Sequence, residues 1–64
     1  MYIIELEKGI WLKNKKLDVT KDKNIALKFK QLNHAKIFVK VTELRSFYVR
    51  LRFVSLNRKK IGQR

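Results

Sequence analysis

Apolar residues recur at every second position near both ends of this chain and follow a wider spacing in the middle. Tyr2, Ile4 and Leu6 point one way and Ile3, Glu5 and Glu7 the other, the period-2 pattern of a half-buried strand. Glu7-Lys8-Gly9 follows as a tight turn, with Gly9 supplying a positive φ without steric cost, and Ile10 to Lys13 returns as a second strand. Asn14-Lys15-Lys16 is polar and turn-like. Leu17-Asp18-Val19-Thr20 then predicts a short third strand at an edge, where lysines discourage pairing with another chain.

From Asp22 to Leu44 the letters serve two structures. Ile25, Ala26, Phe29 and Leu32 fit one helical stripe behind Thr20 or Asp22 as N-cap, yet Ile25, Leu27 and Phe29 also alternate as a strand. Asn33 can cap a further helix that turns Ala35, Phe38, Val41 and Leu44 inward, with Ile37 and Val39 widening the stripe, while the β-branched run through Ile37, Val39, Val41 and Thr42 suits a strand. A short helix or helical turn is the preferred reading of the first segment, because cap candidates precede it and no β-branched run occupies it, and helix that of the second, because a hairpin and a terminal strand need a second layer over their apolar face. One helix, two helices or a partly extended path over residues 24–44 stay open.

The last element reads as a strand. Phe47, Val49, Leu51 and Phe53 alternate with Tyr48, Arg50, Arg52 and Val54, which assigns the first set to the core and the second to the opposite face. Ser46 and Asn57 bracket it. The expected architecture is α+β: a small antiparallel sheet from an N-terminal hairpin and a C-terminal strand, packed against one or two helices. Residues 1–57 form a single compact domain in this reading, and residues 58–64 a basic, mobile C-terminal tail.

Composition supports a folded domain: apolar residues make up 45% of the chain and are spread along it, with no proline and no low-complexity run. Cysteine is absent, so no disulfide or thiolate metal site can brace so small a core. The opening MYIIELEKG has neither the basic region nor the apolar run of a signal peptide, and no segment approaches the roughly 20 apolar residues of a membrane span. A soluble cytoplasmic protein without a membrane partner is the expectation.

Charge changes the picture most. Seventeen Lys and Arg against five Asp and Glu give +12 over 64 residues. The first seven residues carry two acids and no base, and everything after Glu43 carries bases only. Such a field repels itself and attracts nucleic acid or an acidic protein face. If the C-terminal strand pairs beside the hairpin, its outer face gathers Trp11, Tyr48, Arg50 and Arg52. Guanidinium groups pair with phosphate and aromatic rings stack on unpaired bases, so this set, extended by Lys13, Arg58, Lys59 and Lys60, is the candidate nucleic-acid-binding surface for DNA or RNA. An acidic host protein is the alternative partner, and a homodimer that completes the small core through an exposed strand or helix edge is the structural one.

Enzyme chemistry finds little footing. His34 stands alone, with no cysteine and no close carboxylate pattern that would define a metal site. Glu5 and Glu7 share a strand face, a spacing ordinary for a solvated strand. Gly9 and Gly62 form no phosphate-binding loop, and Ser46 and Thr20 lack an activating base. No catalytic residue, metal or cofactor is expected.

The opening MYIIELEKGIWL, followed by Ala26, Phe29 and the segment around Ala35, resembles small, mostly uncharacterised accessory proteins encoded by phages of Gram-positive bacteria. The likeness covers about the first 40 residues. It implies a hairpin with a helix packed on a small sheet, and an accessory viral role in binding nucleic acid or in binding and inhibiting a host factor. It transfers no active residues.

Overall fold

The computed structural model describes residues 1–56, as a four-stranded antiparallel sheet packed against one helix. Strand β1 spans Tyr2–Glu7, β2 Ile10–Leu12, β3 Val19–Thr20 and β4 Arg52–Ser55, in the spatial order β3-β2-β1-β4. The helix α1 spans Leu32–Thr42. The expected α+β architecture is therefore the observed one, with a single helix as the covering layer.

The hairpin forms as its letters dictate. Gly9 adopts φ +78, and a Cβ built there would meet nothing within 4 Å, so the backbone angle and not crowding is what calls for glycine. Glu5 opposes Trp11 and Glu7 opposes Ile10, which leaves one extra residue on β1, a bulge at Leu6. Leu17, expected in β3, sits instead at φ 70 in the preceding turn, its N–H donating to the Asn14 carbonyl at 3.1 Å. Only Val19 and Thr20 pair with β2.

Ile4, Leu6 and Leu12 face the helix and are buried with Phe29, Ala35, Val39, Leu44 and Leu51 in one cluster. Phe29 and Phe38 stack in a tilted arrangement at 5.6 Å. Phe29 reaches the cluster along an extended path, exchanging backbone hydrogen bonds with Tyr2 at 2.7 and 2.8 Å. The helix expected over Ile25–Leu32 is accordingly reduced to a single 3₁₀ turn, Lys23–Ile25, capped by the Asp22 side chain, which accepts from the Asn24 N–H at 2.9 Å. Ile25 is left half-exposed.

The helix departs from expectation in phase as well. Gln31 precedes its first turn without a side-chain cap bond, and Asn33, the expected cap, lies inside. Val39 is buried, and Val41, about 200° further round the helix, is therefore 75% exposed rather than inward. The competing strand for Ile37–Val41 does not occur.

Glu43, at φ 56, ends α1 in the left-handed conformation, and Leu44–Ser46 make a second 3₁₀ turn. The C-terminal strand consequently starts five residues later than the alternation suggests. Its register pairs Tyr2 with Ser55 and Glu5 with Arg52. Continued backwards, that register would set Leu51 against Leu6 and Val49 against Lys8, in the bulge and the turn of the hairpin, where no ladder can form. Phe47 and Val49, expected in the core, are 73% and 87% exposed, whereas Tyr48 packs against the core cluster.

Candidate nucleic-acid interface

The sheet face away from α1 carries one row of side chains across all four strands. Thr20, Trp11, Glu5 and Arg52 are direct cross-strand partners, so their side chains project from the same face as neighbours. Ile3 and Val54 form the next pair on that face, and Ile3 is fully buried.

Glu5 is the centre of the row. Expected in water, it is instead the one buried charged residue among those described, at 8% exposure. One carboxylate oxygen, Oε1, accepts a short charge-assisted hydrogen bond from Arg52 Nε, and the other, Oε2, accepts from the Gly9 N–H at 3.3 Å. The Arg52 bond foremost holds the Glu5 carboxyl below its ordinary range, against the opposing effect of burial; the Gly9 N–H and the charges of Arg52 and Lys23 add to the lowering. The strand, the turn and the edge strand are thus tied at one point.

That tie leaves Arg52 usable. Only its Nε is engaged with Glu5, and its side chain remains 70% exposed, so the outer edge of the guanidinium still offers donors to a ligand. Lys8 from the hairpin turn and Arg50 from the segment before β4 join Glu5 and Arg52 around an open depression of about 470 Å³. At the other end of the row, the Lys23 ammonium lies 5.9 Å from the centre of the Trp11 ring. Four cations therefore surround a single carboxylate that is already neutralised by one of them.

Of the four residues expected to gather, Trp11 and Arg52 share the row on either side of Glu5 and Arg50 joins Arg52 at the depression, whereas Tyr48, against expectation, joins neither. The segment carrying Tyr48 is a turn, with its N–H donating to the Leu44 carbonyl at 2.9 Å, and a turn does not keep strand parity. Lys13 lies just beyond β2, its N–H donating to the Asp18 carbonyl at 2.7 Å, and does not line the depression. Arg58, Lys59 and Lys60, like the expected tail as a whole, lie outside the described residues. Lys8, Lys23 and Glu5 join the site without being expected in it. For Lys8 a signal existed, since it directly follows Glu7, the last paired residue of β1, in the expected turn; nothing local marks Lys23 for this row.

Comparison with protein-family models, with curated protein sequences and with solved structures finds no match. The reading of this surface therefore rests on its own geometry.

A second feature lies along α1, where Ile37 and Val41 wall a groove with Leu27 and Phe38, rimmed by Lys28 and Lys30. Nothing in the structure indicates what would cover it. Among the described residues, no group of three or more His, Cys, Asp or Glu is placed to hold a metal ion, and no helix is long and apolar enough to cross a membrane.

Proposed function

We propose that this protein binds nucleic acid at the open depression around Arg52, with Arg52, Arg50 and Lys8 contacting phosphates and Trp11 and Lys23 extending the contact surface along the row. The observation that carries this reading is the state of Arg52. A buried carboxylate orients its guanidinium from one side while the outer side stays exposed among further cations. Orienting a guanidinium before the ligand arrives lowers the ordering cost of binding, and its fork geometry suits phosphate.

The reading is tested by titrating dye-labelled DNA and RNA oligonucleotides and following fluorescence anisotropy at about 0.1 M salt, where nonspecific attraction is partly screened. Lys8→Ala/Arg50→Ala removes two exposed cations without touching the Glu5–Arg52 pair, and should weaken binding about tenfold or more while leaving the circular dichroism spectrum unchanged. Equal binding by a folded double variant would remove this surface from consideration.

A further inference from the structure

The segment between the second 3₁₀ turn and β4 exposes apolar side chains that the alternation pattern places inside. Phe47 and Val49 are 73% and 87% exposed on either side of Tyr48, which packs into the core. An exposed phenyl ring in a chain with so small a core forfeits burial that the fold needs, and sites where the pattern fails in this way are where function is to be sought. The backbone here is well braced. The Phe47 and Tyr48 N–H groups both donate to the Leu44 carbonyl, at 3.0 and 2.9 Å, and the Leu51 N–H donates to the Tyr48 carbonyl at 3.1 Å. Arg45 Nη1 adds a bond to the Leu51 carbonyl at 3.4 Å, while its guanidinium lies 5.8 Å from the Phe53 ring. Leu44 and Leu51, both buried, anchor the two ends. The ring is thus displayed on a fixed support.

Its surroundings select the partner. Arg50 is three residues away, so its Cα lies within about 11 Å of that of Phe47 by whatever path the chain takes, a span of a few nucleotides. No acid follows Glu43 in the sequence. Trp11 has Lys23 positioned over its ring and is half-buried, which makes Phe47 the freer of the two aromatic surfaces. A phenyl ring has no polar atom with which to read a base edge; it can offer only a face. Bases present a free face only where they are unpaired. A lipid surface is the poorer fit, since one phenyl and one isopropyl group bury less than a single acyl chain, itself a marginal anchor.

We propose that the nucleic acid bound here is single-stranded and that Phe47 stacks on one of its bases, while Arg50 and Arg52 hold the flanking phosphates. This rests on the nucleic-acid reading of the sheet face. It implies tolerance of sequence, because every base has a face to stack.

Anisotropy titrations of oligothymidylate and oligouridylate of about 12 nucleotides, beside a duplex of equal length, test it. Wild type should prefer the single strands by about tenfold or more. Phe47→Ala and Phe47→Leu should each lose about tenfold, and Phe47→Trp should retain affinity, all with unchanged circular dichroism because the position is exposed. Should duplex bind as tightly as single strand, or Phe47→Ala bind like wild type, the stacking inference falls, and a loss of affinity in Lys8→Ala/Arg50→Ala would show that the broader reading survives. If no oligonucleotide binds, both fall. Phe47-dependent binding to vesicles of anionic phospholipid, with no oligonucleotide binding, would assign the segment to a lipid surface and overturn both.

Discussion

Glu5 shows how one residue can serve stability and recognition together. Its carboxylate is buried, it joins β1 to the β1–β2 turn and to β4, and it leaves the outer edge of Arg52 exposed. Because its folded pKa lies below its ordinary value of 4.5, ionised Glu5 contributes stability above that pH, and the contribution is lost as pH falls through the folded value. Arg52→Ala should therefore cost about 1 kcal/mol at pH 7, below the usual range for a buried bond to a charged group because the arginine is mostly solvated. The same variant should cost much less near pH 3, where the carboxyl is largely protonated in the unfolded chain and the pair weakens in the folded one. Urea midpoints of wild type and variant at the two pH values check this. A difference that does not shrink in acid would mean that Arg52 stabilises the fold through packing rather than through the charge on Glu5.

At the level of elements, period-2 alternation located β1, the hairpin and the edge strand β3, because residues on one face of a strand recur at every second letter, although β1 proves buried on both faces from Ile3 to Leu6. It failed from Phe47 to Val49, where alternating residues lie in a turn whose position depends on the bulge and turn of a hairpin some 40 residues earlier. The same failure misplaced Tyr48 in the candidate site, while Trp11 and Arg52, both inside paired strands, were placed on the correct face. In α1 the apolar letters at Ile37, Val39 and Val41 admitted more than one inward face, and contact with β1 chose between them. The helix phase can be checked by substitution. Val39→Ala should cost about 2 kcal/mol, since it empties buried volume, whereas Val41→Ala should be neutral or slightly stabilising, as alanine is the better helix former at an exposed site. Equal losses at the two positions would contradict the observed packing.

Over the whole molecule, the charge of +12 acts on stability and on binding with opposite signs. At 0.01 M salt the screening length of about 30 Å exceeds the 12.0 Å radius of gyration, so cations throughout the fold repel one another; at 0.15 M it drops to about 8 Å and most of that repulsion is local. The thermal midpoint should accordingly rise by several degrees between these two conditions. Affinity for a single strand should fall over the same range, because each phosphate neutralised by a lysine or arginine releases a counterion. With three or four such contacts, drawn from Lys8, Lys23, Arg50 and Arg52, log affinity should fall against log salt with a slope of about −2 to −3. Lys8→Ala/Arg50→Ala separates the two effects in one variant. Removing two cations from the depression should make the fold more stable at low salt and the slope shallower by about 1.4. A variant that gains stability but keeps the full slope would show that the phosphates are held elsewhere. One that loses stability would show that Lys8 and Arg50 support the fold and are not held there, against mutual repulsion, for the sake of a ligand.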